Sequence, residues 1–152
     1  MDEIVARSLA KWPNVPAVYG WLELDRRGNW LIKGERIANL ALREFIARNY
    51  ECDERGRWYF QNGPQRVYVT LAYTHLVVHY EGDALFDQCG RAFPSSTAFQ
   101  DDEGSVLFSG GEGVALLDDR DLAKFADRGE TLNLIGRSEV AARFSFVPDP
   151  KP

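Results

Sequence analysis

The chain has no long hydrophobic run. Nowhere in its 152 residues do about 18 apolar residues follow one another, the length that a membrane-crossing helix requires. Its start, Met1-Asp2-Glu3-Ile4-Val5-Ala6-Arg7, lacks the basic-then-apolar order of a secretory leader, so the expected location is cytoplasmic. Cysteine is scarce. Cys52 and Cys89 stand far apart and form no Cys-x-x-Cys pair, which excludes the common zinc-ribbon and thioredoxin patterns and favours free thiols in a reducing compartment. Positive charge is also short, with 18 Lys and Arg against 23 Asp and Glu and a net charge of −5. The deficit lies in residues 77–152, which carry 14 acidic side chains against 7 basic ones. Nonspecific nucleic-acid affinity comes from cations neutralising phosphates, so this balance argues against nucleic acid as a partner.

What remains is a globular composition. Hydrophobic residues make up 45% of the chain and aromatic ones 12%, enough for one core, or two small packed halves, without disulfide or metal. The most informative pattern is a short recurrence: Asp25-Arg26-Arg27-Gly28, Asp53-Glu54-Arg55-Gly56, Asp101-Asp102-Glu103-Gly104, and more loosely Asp87-Gln88-Cys89-Gly90, followed in each case by apolar or aromatic residues. Asp accepts from a backbone N–H two residues on, the next two positions suit a type I turn, and Gly takes the positive φ before a returning strand. The copies are 28, 34 and 14 residues apart, which does not fit the fixed period of a solenoid or propeller. The expected class is therefore α+β, with antiparallel β-hairpins on Asp-x-x-Gly turns arranged as two loosely repeated hairpin-plus-helix units. Residues 1–82 form the first subdomain and 83–147 the second, packed on it, with 148–152 frayed.

Helices are expected over Glu3–Lys11, over Glu35–Arg48 and over Asp118–Gly129. In the second, Ile37, Leu40, Ala41 and Phe45 make one apolar stripe; the third has acidic residues at its start and Gly129 as a stop. Further strands are expected over 66–71, 76–80, 114–117, 131–135 and 142–147.

The stretch Asp25-Arg26-Arg27-Gly28-Asn29-Trp30, Lys33-Gly34-Glu35-Arg36-Ile37, Leu42, Phe45, Asp53-Glu54-Arg55-Gly56-Arg57-Trp58-Tyr59-Phe60 and Arg66-Val67-Tyr68-Val69 resembles a proteobacterial family, domain of unknown function 1285. The likeness covers roughly residues 20 to 70 and consists of turn and core residues. It implies two packed subdomains with repeated motifs, no established activity, and a ligand-binding or signalling role. It transfers no functional residue.

Several groups of residues invite chemistry. His75 and His79 are four apart and would share a face of a helix or strand, as two zinc ligands would, yet no cysteine-pair or His-Glu-x-x-His motif accompanies them; a structural role is favoured. Cys89 beside Gly90 and Arg91 would be an activated thiol only if arginine lowered its pKa and a histidine stood near as base. The acidic clusters Asp101-Asp102-Glu103 and Asp118-Asp119-Asp121 do not match a calcium loop and suit turns and helix starts. Gly110-Gly111-Glu112-Gly113 lacks the lysine of a phosphate loop and leads into a strand, which makes it a hairpin tip. No motif calls for a cofactor or metal, and no catalytic residue is assigned.

One constellation stands out: Trp21, Trp30, Trp58 and Tyr59 with Arg26, Arg27, Arg55, Arg57 and Arg66. Aromatic faces beside guanidinium groups hold anionic or planar ligands, although strand alternation must send some of these tryptophans into the core. The expected function is a non-enzymatic small-molecule-binding or signal-sensing module, with a pocket between the two halves lined by Trp30, Arg57, Trp58 and Tyr59. The alternative is a protein-interaction or scaffold protein, a homodimer among the options, pairing through an exposed strand edge or aromatic patch. A small hydrolase or transferase built on Cys89 or the histidines ranks last, because no nucleophile, base and orienting group can be read together.

Overall fold

A computed structural model describes residues 1–152, which divide into two units. Unit 1 comprises Met1–Asp25, Asn29–Ala72 and Phe146–Pro152. Its elements are α1 (Glu3–Lys11), β1 (Val18–Leu24), β2 (Trp30–Ile32), β3 (Glu35–Arg36), α2 (Leu40–Arg48), β4 (Tyr50–Cys52), β5 (Trp58–Asn62) and β6 (Gln65–Leu71). They form one sheet in the order β3-β2-β1-β6-β5-β4. Side chains alternate across a strand, so the register decides which residues share a face. Leu24 pairs with Trp30, Leu22 with Val69, Phe60 with Val67 and Tyr50 with Phe60, which puts these residues and Trp58 on one inner face. The Trp30 ring of β2 lies 5.0 Å from the Tyr50 ring of β4 although three strands separate them in the sheet. The sheet therefore curls around this core. Helix α2 covers the same side, with Phe45 edge-on to Phe60 at 5.5 Å. Full burial of such a side chain contributes about 1.5–3 kcal/mol, and Trp30, Tyr50 and Phe60 are all buried.

Unit 2 comprises Arg26–Gly28 and Tyr73–Ser145. Its elements are β7 (Leu76–Glu81), β8 (Ala84–Asp87), β9 (Ser95–Gln100), β10 (Val106–Gly110), β11 (Gly113–Leu117), α3 (Leu122–Arg128), β12 (Leu132–Leu134) and α4 (Val140–Arg143), with short 3-10 turns before α3 and α4. The sheet order is β12-β9-β10-β11-β7-β8. Val106–Phe108 and Val114–Leu117 are buried at every position, the mark of central strands covered on both faces. Phe125 of α3 meets Phe108 at 5.6 Å, and Phe144 meets Phe99 at 5.9 Å.

The class is α+β, but the sheets are mixed rather than built from antiparallel hairpins alone. β1 runs parallel to β6, β7 to β11 and β9 to β12. The helix expected over Glu35–Arg48 begins at Leu40, because Glu35 and Arg36 pair with β2 and the Asn39 side chain accepts from the Leu42 N–H at 3.0 Å as an N-cap. The strand expected over 142–147 is absent; Val140–Arg143 is helical and Ser145 turns the chain at φ 57°. The expected boundary near residue 82 falls inside the β7–β8 hairpin, and the chain changes unit after Ala72 because β7 pairs only with β8 and β11. Residues 148–152, expected to fray, are engaged: the Leu71 N–H donates to the Pro148 carbonyl at 2.7 Å, Arg57 to the Lys151 carbonyl at 3.1 Å, and Pro150 is buried. No helix is long and apolar enough to cross a membrane.

Candidate functional site

Neighbouring residues on a strand face opposite ways, and this separates the residues expected to line one pocket. Trp30 and Trp58 point to the inner face of unit 1, where Tyr50 packs against both, at 5.0 and 4.8 Å. Trp30 is only 3% exposed. Arg57 and Tyr59 lie on the outer face. There they join residues the sequence did not single out, Tyr19 of β1 and Tyr68 of β6, together with Arg66. Tyr19 stacks on Tyr68 at 4.8 Å with the rings 13° apart, and Tyr59 meets Tyr68 edge-on at 5.8 Å. The signal was present in the sequence: Arg57-x-Tyr59 and Arg66-x-Tyr68 share the two-residue period of one strand face. Their pairing across β5 and β6 is what the sequence did not show.

Asp53 anchors this face. One carboxylate oxygen accepts from the N–H groups of Arg55 and Arg57 at 2.9 and 3.0 Å; the other accepts from the Tyr68 hydroxyl and Arg57 Nε, both at 2.9 Å. Burial alone would raise its pKa. The hydrogen bonds from Arg57, Tyr68 and Arg55 outweigh that and hold it at about 2. The Arg57 guanidinium lies 4.5 Å from the centre of the Tyr68 ring and also donates to the Tyr68 hydroxyl. Asp53 thus neutralises Arg57. Arg66 differs: its guanidinium sits 3.9 Å over the Tyr59 ring and donates to the Tyr68 hydroxyl at 3.3 Å, with no carboxylate in ion-pair range. The face carries a cation without a direct carboxylate partner over two buried rings, Tyr59 and Tyr68, with Asp53 acting on it only at a distance.

Unit 2 contains a related arrangement. Asp101 accepts from the N–H groups of Glu103 and Ser105, both at 2.9 Å, and from the Tyr73 hydroxyl at 2.7 Å. Arg26 and Arg137 lie 5.1 and 4.9 Å from the Tyr73 ring centre. Here one of the two cations meets a carboxylate of its own. Arg137 pairs with Glu103 at 2.6 Å, and Arg26 donates to Ser105 Oγ at 2.7 Å. Burial, and then the bond to Asp101, push the Tyr73 phenol far above its ordinary range.

The remaining candidates take structural places. His75 is buried with Nε2 3.1 Å from the Glu112 carbonyl; burial pushes it down to about 4, offset only in part by that bond. His79 is half-exposed, 3.4 Å from Glu81. No three His, Cys, Asp or Glu side chains converge as metal ligands. Burial, reinforced by Asp87, pushes the Cys89 thiol up to about 12 against a smaller pull from Arg91, so it stays protonated at neutral pH, which overturns the activated-thiol idea. Both cysteines are free. Asp118 caps the 3-10 turn before α3 through the Arg120 N–H, and Asp121 accepts from the Tyr80 N–H at 2.8 Å. Gly110 and Gly113 close the β10–β11 hairpin; a Cβ on Gly113 would stand 2.7 Å from His75 Nε2.

The fold is that of known bacterial proteins. A DUF1285 family protein from Silicibacter pomeroyi DSS-3 matches with a TM-score of 0.55 and 17% identity, covering 86% of each chain. A DUF1285 family protein from Shewanella baltica OS155 matches with a TM-score of 0.53 and 13% identity, over 72% of this chain and 92% of that one. At these identities the likeness shows the fold alone. The chain itself belongs to the family described as Protein of unknown function (DUF2946), whose model, DUF2944, matches residues 1–149. No curated protein matches.

Proposed function

We propose that this protein is a cytoplasmic, non-enzymatic module that binds a small anionic or planar ligand, as a sensor in signalling, on the outer face of unit 1. The observation that carries this reading is Arg66, a cation without a carboxylate that lies over Tyr59 beside Arg57 and the stacked pair Tyr19–Tyr68. Guanidinium groups on aromatic faces bind anions and planar groups while keeping their own geometry. Tyr59 and Arg57 meet the ligand in this reading; Trp30 and Trp58 support the strands from behind. A non-enzymatic role fits the protonated Cys89 thiol and the neutral His75, which faces a backbone carbonyl.

The test is a thermal-shift screen of the whole chain against nucleotides, aromatic acids and other small anions. A ligand at about 100 times its Kd adds about 2.7 kcal/mol, a rise of several degrees. Arg66→Ala removes that rise while keeping the ligand-free melting temperature; a rise that persists in the variant refutes the site. A second reading, a protein-interaction or scaffold module, is favoured by the exposure of Ile4, Trp12 and Leu40, at 66%, 57% and 59%. Sedimentation showing self-association that Trp12→Ser abolishes would support it over the first.

A further inference from the structure

We propose that a cleft in unit 2, beside Tyr80, is a site for a free α-amino acid with an apolar side chain. The inference is independent of the outer face of unit 1. The cleft has a volume of about 310 Å3, and its lining includes Tyr80, Asp83, Leu85, Phe93, Arg128 and Glu130. Tyr80 is 7% exposed, and its hydroxyl is buried without a hydrogen-bond partner. Buried hydroxyls are ordinarily satisfied, so this orphan points to a partner outside the chain. Burial, with Glu130 near, pushes the phenol pKa upward, and the hydroxyl remains a donor at neutral pH.

The charges beside the Tyr80 ring alternate. The Arg128 guanidinium lies 5.1 Å from the centre of the Tyr80 ring, between Glu130 at 3.2 Å and Asp83 at 3.4 Å. A simple anion would meet Arg128 but be repelled by two carboxylates. A simple cation would pair with the carboxylates and leave Arg128 and the Tyr80 hydroxyl unused. A zwitterion satisfies the whole set, its carboxylate on Arg128 and the Tyr80 hydroxyl, its ammonium on Glu130 and Asp83. The buried walls Leu85 and Phe93 take the apolar side chain. The volume equals about ten waters in the liquid, which fits a ligand of about that many heavy atoms.

Calorimetric titration of the whole chain with L-leucine and L-phenylalanine tests the site. One or both bind. N-acetylation and C-amidation of the ligand each weaken binding at least about tenfold, as does Arg128→Gln. Tyr80→Phe separates a ligand role from a structural one: it leaves the ligand-free melting temperature unchanged or raises it, because an unsatisfied hydroxyl is gone, yet it diminishes the amino-acid-dependent rise. Absence of binding by either amino acid up to about 10 mM, a limit well above most small-ligand Kd values, overturns the proposal. Equal binding of the acetylated ligand, or binding unchanged in Arg128→Gln, overturns it as well. Arg66→Ala leaves this titration unaffected, so the two sites fail or stand separately.

Discussion

Tyr68 in unit 1 and Tyr73 in unit 2 are held by the same three parts: a turn aspartate that caps two backbone N–H groups, a tyrosine hydroxyl donated to its second oxygen, and two arginines over the tyrosine ring. The resting charge is where they part. Asp53 binds Arg57 directly and leaves Arg66 unpaired, whereas in unit 2 Glu103 takes Arg137. The same local chemistry thus leaves one arginine of each cluster without a carboxylate in ion-pair range, Arg66 in unit 1 and Arg26 in unit 2, where Arg26 instead donates to Ser105 Oγ.

Removing the central aspartate is the largest test of this contrast. Asp53→Ala strands the Arg57 charge and two N–H groups and is expected to cost about 3–5 kcal/mol in denaturant unfolding; Asp101→Ala, which strands no cation, about 2–3 kcal/mol. Equal losses would break the distinction. The two units should also differ in acid. His75 has a folded pKa of about 4 against an ordinary 6.5, so the unfolded chain binds the extra proton and stability falls as pH drops from about 6.5 to 4, by about 3 kcal/mol. Asp53, depressed to about 2 from 3.8, contributes stability that is present above pH 3.8 and lost as pH falls toward 2, by about 2 kcal/mol. His75→Gln should flatten the first window and leave the second.

Smaller effects sharpen the comparison. Tyr73→Phe removes one buried hydrogen bond to a carboxylate and should cost about 1–3 kcal/mol; Tyr68→Phe removes the acceptor of Arg57 and Arg66 as well as a part-buried bond to Asp53, and should cost at least as much. The least change in stability, under about 1 kcal/mol, is expected for Glu103→Gln, which frees Arg137 as Arg66 is free. That variant should show a larger sulfate-dependent rise in melting temperature than the parent.

Local sequence made the α+β class, helix α1 and the strands at 65–71, 76–81 and 113–117 legible, because caps, apolar periodicity and β-branched runs act over a few residues. Long-range competition escaped it. Glu35 and Arg36 fit the helical stripe that runs to Arg48, yet their backbone is taken by β2, and the parallel pairing of β1 with β6 joins residues 47 to 49 positions apart. The same limit applied to the site. Trp58 and Tyr59 read as one aromatic cluster, but adjacency in a strand is opposition in space. Only the register with Arg66 and Tyr68 shows which partner each ring finds.

Unit 1 is discontinuous. The chain leaves it after Ala72 and returns at Phe146, whose ring is buried, with the Val147 N–H donating to the Gly56 carbonyl and the Pro148 carbonyl accepting from Leu71. On a ribosome, then, the unit that begins first is completed last: its six strands are made early, but seventy-three intervening residues are synthesised before the closing segment arrives. By the end of that interval the second unit has all of its own strands and can fold, while the first still lacks its clasp.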